Sequence, residues 1–165
     1  MAGFASEIVV VDGSSTDQTV IIAKKHGAKI LVTDNPPMFH INKQRAIDRC
    51  QGDWILQLDA DEVVSEQLSN EIQSTINPVP EQARYRASNQ QLTINNKVNG
   101  YWIPRKNYFL GRWLSKGGQY PDHTLRLYRR GKGRLPCKSV HEQAQVIGNV
   151  KYLTNPLLHL SLIHI

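Results

Sequence analysis

Three short aliphatic runs each end on aspartate: "EIVVVD" at Asp12, "KILVTD" at Asp34 and "WILQLDAD" at Asp59 and Asp61. Stretches of helical composition separate and follow them. This alternation constrains the fold more than any other feature of the chain. Continuous β-branched runs read as strands buried on both faces, and helices between them predict β-α-β-α-β-α order with a parallel sheet. Ser15 and Gln18 predict a capping box for the first helix, which runs to about His26 with Gly27 as its stop. "INKQRAIDRC" predicts a second helix ending near Gly52. Ser65 is placed to cap a third, in which Leu68, Ile72 and Ile76 share one face. The prolines of "PPMF" exclude regular structure there, and the proline-broken "NPVPEQARYRASNQ" reads as a linker or loop.

In open α/β sheets ligands bind beyond the carboxyl ends of the strands. The aspartates therefore collect where a site is expected. In an extended chain Asp59 and Asp61, two residues apart, point to the same side. Such a pair can hold a divalent cation, and Mg²⁺ or Mn²⁺ suits oxygen ligands of this kind. A solvated turn accounts for the same triplet. In "VVVDGSSTD" the glycine allows close approach of a ligand and the helix N-terminus favours anions. A plain strand-to-helix turn explains those residues equally well.

The second half has a different character. "NGYWIPRKNYFLGRW" and "TLRLYRRGKGRL" are aromatic, basic and strand-like. The net charge is +6, and Tyr101 to Lys138 holds ten Lys or Arg against one acid, Asp122. That imbalance points to an anionic partner: phosphates, an acidic glycan, a lipid headgroup or nucleic acid. Asp122, alone among cations, is held ionised and suits either a general base or a structural ion pair. His141 in "SVHE" and His159 in "LLHLS" are each a packing residue or a further metal ligand.

With 165 residues, 40% of them apolar, the chain suits one domain with a real core. Two cysteines, Cys50 and Cys137, make no ligand-like pattern and suggest a reducing compartment. No apolar run approaches the roughly 20 residues that span a bilayer, and the first residues do not read as a signal peptide. A cytoplasmic protein touching an anionic inner membrane leaflet is the expected setting. The apolar "PLLHLSLIHI" reads as a last strand, a membrane-facing tip or a cut end, with "SLIHI" as a possible non-native tail.

Taken together, "EIVVVDGSSTDQT", "NKQRAIDRCQGDWILQLDADE", "GYWIPRKNYFLGRW", "GGQYPDHTLRLYRRG" and "VHE" resemble family 2 glycosyltransferases of the GT-A fold. Their order is most similar to the bacterial branch that includes lipopolysaccharide-core β-glucosyltransferases. The resemblance implies a Rossmann-like, mostly parallel sheet flanked by helices, lacking its first strand. It implies one truncated domain over 1–165, with a nucleotide-sugar half at 1–77 and an acceptor and catalytic half at 98–160. It further implies transfer, with inversion, from a nucleotide diphosphate sugar to a hydroxyl of a cell-envelope glycan or lipid-linked acceptor, and no nucleic acid.

By the same resemblance Asp12 contacts the nucleotide base and Lys43 lies near the nucleotide. Asp59 and Asp61 serve ribose and metal, and Gly117 and Gly118 form the loop under the sugar. Asp122 is the catalytic base. His141 is the late histidine near metal and diphosphate, with His159 as second choice. The chain departs from the family in starting about one strand late and in carrying Gln44 where asparagine is common. Two rival expectations are a nucleotidyltransferase-like enzyme, which also uses aspartate pairs with Mg²⁺, and a non-catalytic polyanion-binding module.

Overall fold

The computed structural model describes residues 4–77, 97–139 and 142–161. The expected linker after Asn77, His141 and the "LIHI" end lie outside the described residues. The first half follows the predicted order. Strand β1 (Val9–Asp12) is followed by helix α1 (Thr19–Lys25), β2 (Lys29–Val32), α2 (His40–Ile47), β3 (Trp54–Leu56), β4 (Glu62–Val64) and α3 (Glu66–Ile76). The second half is all strand: β5 (Val98–Phe109), β6 (Arg112–Trp113), β7 (Asp122–Arg129), β8 (Gly133–Arg134), β9 (Gln145–Val146), β10 (Asn149–Tyr152) and β11 (Leu157–Ser161).

Several local expectations hold for the reasons given. Ser65 caps α3, its hydroxyl accepting from the Leu68 N–H at 3.2 Å. Leu68 and Ile72 are fully buried, and Ile76 packs against the same cluster. The first helix begins later than predicted. Ser15 does not cap it: its N–H donates to the Asp12 carboxylate at 2.9 Å, and Asp17 takes the Thr19 N–H at 2.9 Å. Short polar side chains here bond the loop backbone in place of a helix end.

The sheet is more mixed than a parallel pattern implies. β1 and β2 pair in parallel as a two-stranded sheet, so β1 is half-buried rather than covered on both faces. The seven-stranded sheet runs β3-β7-β5-β11-β4, with β6 and β10 also on β5. β10 and β11 lie parallel to β5, whereas β6 and β7 pair with it antiparallel. No helix occurs among the described residues after α3, and antiparallel pairing, which needs no helical crossover, joins β7 to β5 and β3, β6 to β5 and β11 to β4.

β5 is the axis of the molecule. Tyr101 and Ile103 enter the main core with Leu127, Leu153 and Leu157. Alternation then carries Arg105 and Asn107 outward on that same face. A second cluster gathers Ile47, Ile55, Tyr128, Leu135 and Ala144.

Glu7 ties β1 to the α2–β3 turn. Its carboxylate takes the Lys29 ammonium at 2.8 Å and the Gly52 N–H at 2.9 Å. Those hydrogen bonds, Lys29 first, hold the Glu7 carboxyl down at about 2. A depressed carboxyl stabilises the fold above its unfolded value of 4.5, and that contribution disappears as pH falls towards 2. Glu7→Gln is expected to lower stability at pH 7 by about 1–2 kcal/mol, with wild type and variant converging in acid denaturation near the lower value.

Candidate active site

A cavity of about 260 Å³ opens between α2, the β3–β4 turn and the face of β5 and β7 that carries Arg105 and Asp122. Lys43 and Asp59 reach it from the first half, and Arg105, Asp122, Arg126 and Glu142 from the second.

The β3–β4 connection shapes the acidic side. Apolar strand gives way after Leu56, and Ala60 and Asp61 form a tight turn closed by the Glu62 N–H on the Asp59 carbonyl at 3.1 Å. Glu62 folds back to accept from the Asp59 N–H at 2.9 Å. The extended geometry that would set Asp59 and Asp61 side by side is therefore not adopted. Asp59 turns to cations, contacting Lys43 and lying 2.7 Å from Arg126, while Asp61 faces His159 Nε2 at 3.1 Å. Burial opposes ionisation of Asp59, but Arg126 and then Lys43 outweigh it and hold the carboxyl below its ordinary range.

Arg126 gets its position from a β-bulge. Leu125 pairs with Trp102 and Leu127 with Tyr101, so Arg126 is the extra residue between them. A bulge re-aims the side chain it carries. Here it directs a buried guanidinium, 8% exposed, onto Asp59 and onto Glu62 at 2.8 Å. Asp59 and Glu62 of "DADE" are compensated from within the fold. Arg126 Nε is buried and meets no hydrogen-bond acceptor among the described residues.

Asp122 stands opposite Arg105 in the β5–β7 ladder. One carboxylate oxygen, Oδ2, takes Arg105 Nε at 2.9 Å, Arg105 Nη2 at 2.7 Å and Asn107 Nδ2 at 3.1 Å. Burial raises the carboxyl and these donors lower it, with a net shift below the ordinary value. Asn107 Oδ1 lies 2.8 Å from His159 Nδ1. A continuous chain of polar contacts thus joins Lys43, Asp59, Arg126, Glu62, Arg105, Asp122, Asn107, His159 and Asp61.

Other expected site residues lie off the cavity wall. Asp12 is buried at the end of β1, beside Ser14, whose φ of 65° is a costly left-handed conformation for a residue with a side chain. Gly117 and Gly118 sit in the exposed loop before β7. Their φ values of 68° and 75° account for glycine there. Among the described residues no group of three His, Cys, Asp or Glu gathers as a metal site.

Sequence reading assigned no role to Arg105, Asn107, Glu62 or Arg126. A legible signal did exist for Arg126: a charge inside the apolar run "TLRLY" must find a partner. Its bulge could not be foreseen.

A βαβ half carrying acids, joined to a basic strand half across one cavity, has the architecture of a GT-A domain. Comparison with known sequences places it further. Residues 3–133 match the family described as Glycosyl transferase family 2, and the chain belongs to that family. It is 30% identical over 160 residues to the lipopolysaccharide core biosynthesis glycosyltransferase LpsC of Rhizobium meliloti, covering 93% of this chain and 53% of LpsC. It is 40% identical over 94 residues to an uncharacterized glycosyltransferase of Rickettsia bellii, covering 56% of this chain and 31% of that protein. A further uncharacterized glycosyltransferase, from Rickettsia typhi, is 46% identical over 68 residues, covering 41% and 23% respectively. The chain thus spans about half, or less, of the relatives it matches.

Proposed function

We propose that this domain transfers a sugar, with inversion, from a nucleotide diphosphate sugar to a hydroxyl of a cell-envelope glycan such as a lipopolysaccharide core. The observation that carries this reading is the convergence of Lys43, Asp59, Arg126 and Asp122 on one cavity. LpsC, by its name a lipopolysaccharide core glycosyltransferase, supports the choice of acceptor. We read residues 1–77 as the donor-binding half and 98–160 as the acceptor and catalytic half.

Asp122 is the general base. Oδ2 is occupied by three donors, so Oδ1 is the atom that takes the acceptor's proton as its oxygen attacks. Lys43 and Arg126, which both line the cavity, bind the leaving diphosphate, where positive charge in a partly dry site is most effective. Asp12 takes the nucleotide base, Asp59 the ribose, and Gly117 and Gly118 lie beneath the sugar. Asp61 fits a hard divalent cation: it offers carboxylate oxygens, is 36% exposed, and among the described residues its carboxylate faces His159. Asp61, with Asp59 and His141, would hold Mg²⁺ or Mn²⁺, whose charge would offset that of the leaving diphosphate. The setting we infer is the cytoplasmic side of an anionic membrane; no helix among the described residues is long and apolar enough to cross one.

Two measurements test this. A panel of nucleotide sugars should reveal one whose turnover depends on divalent metal, and no turnover of any would overturn the activity. Calorimetry should show nucleoside diphosphate binding strengthened by Mn²⁺ in wild type, with that gain lost in Asp61→Ala. Equal wild-type binding with chelator present removes the metal from the proposal.

A further inference from the structure

β5 and β6 form a hairpin with Leu110 and Gly111 at its turn, at φ values of 48° and 73°. This two-residue turn, left-handed at both positions, matches strand twist and favours asparagine or glycine. Gly111 conforms. Leu110 does not: its Cβ makes the left-handed region costly, and its side chain gains no burial in return, being 64% exposed. Beside it Phe109 is 44% exposed and Trp113 41%. The Lys106 ammonium sits 3.9 Å above the Trp113 ring, and the Tyr120 ring meets it edge-on at 5.4 Å. Arg112 and Lys116 add two cations that form no ion pair among the described residues, and no acid occurs from Tyr101 to Pro121.

Single exposed apolar residues are common on soluble proteins and imply nothing alone. Ile21, 66% exposed on α1, is such a residue. The hairpin differs in three respects together. A bulky apolar side chain occupies a backbone position that disfavours it. Aromatic rings flank it. Arg112 and Lys116, with no ion pair among the described residues, belong to a stretch of sequence that carries no acid. Apolar tip, aromatic collar and basic rim match the layers of an anionic bilayer surface, from acyl boundary to headgroup.

We propose that the β5–β6 hairpin docks the protein on an anionic lipid bilayer. Leu110 and Phe109 enter the headgroup boundary, Trp113 lies at the interface, and Lys106, Arg112 and Lys116 meet lipid phosphates. The surface gives a place to the membrane contact in the function proposed above and rests on that reading only for its purpose. Its binding is measured without donor or acceptor, so failure of sugar transfer leaves the docking result standing.

The test is co-sedimentation of the whole 165-residue chain with two vesicle types. One is phosphatidylcholine alone and the other carries about one-third phosphatidylglycerol. Wild type should bind the anionic vesicles only, and more weakly in high salt. Leu110→Asn should bind about tenfold more weakly, from loss of the apolar side chain. Its melting temperature should be equal or higher, because asparagine suits the turn. Arg112→Gln should weaken binding about fivefold. Ile21→Gln should leave it unchanged. Equal binding to neutral vesicles, no binding to either, or wild-type binding by Leu110→Asn each overturns the proposal. So does a dimer that Leu110→Asn dissolves in the absence of lipid, since the hairpin would then serve a second copy of the chain.

Discussion

Asp122→Asn is expected to cut turnover of the folded enzyme about 10²–10⁴-fold while donor affinity stays close to wild type and melting temperature falls modestly with the lost charge opposite Arg105. Asparagine keeps the size and the oxygen that accepts from Arg105 and Asn107, but it offers no basic atom at the other position. An ion-pair role alone predicts the same loss of stability with turnover preserved in the folded fraction. Measuring melting temperature, donor affinity and turnover on one preparation separates the two. The pH profile adds a signed test. Donors from Arg105 and Asn107 hold the Asp122 carboxyl below 3.8 against the opposing effect of burial, so the acidic loss of activity due to this group must lie below the ordinary carboxylate range. Near-normal turnover in Asp122→Asn would move the base to Glu142, which lines the same cavity but already accepts from the Lys138 and Ser139 N–H groups.

Arg126→Met should be the most destabilising single change at the site, by about 3–5 kcal/mol. Methionine approximates the volume but leaves two carboxylates buried together without their shared cation. Glu62 suffers most, since its side chain has no exposure while that of Asp59 has 26%. Urea denaturation at pH 7 should show the loss. In wild type Asp59 contributes stability above 3.8 that is lost as pH falls through its lower folded value. The variant lacks the Arg126 part of that contribution, so the gap between the two proteins must narrow on acidification. Adding Glu62→Gln should recover part of the loss. A gap that widens in acid, or no recovery, would mean that Arg126 acts chiefly through packing.

The sequence disclosed what local periodicity and local chemistry encode. Strands at Val9–Asp12 and Lys29–Val32, the Ser65 cap and the buried stripe of α3 follow from side-chain pattern, and all are present. Family motifs brought Lys43, Asp59 and Asp122 forward, and these three share the cavity. Pairing between distant strands was not legible, because nothing local states that β11 inserts between β5 and β4. Hence His159 entered only as an alternative, although its ring links Asp61 to Asn107. The clustered acids had two accounts in sequence, a bound divalent cation or a solvated turn. Arg126 adds a third, a cation from within the fold, placed by a one-residue slip in strand register that depends on tertiary pairing.

β5 runs unbroken from the ladder position opposite Asp122 to the Leu110 turn. Five residues of extended chain separate Arg105 from Leu110, which is ~16 Å at strand rise. A strand hydrogen-bonded along much of its length does not shorten or bend freely. If the tip rests on lipid, the reacting oxygen is held at a fixed height above it. The hairpin then acts as a gauge: acceptors anchored in the same membrane are sorted by how far their hydroxyl stands from the surface, before any contact with the sugar itself.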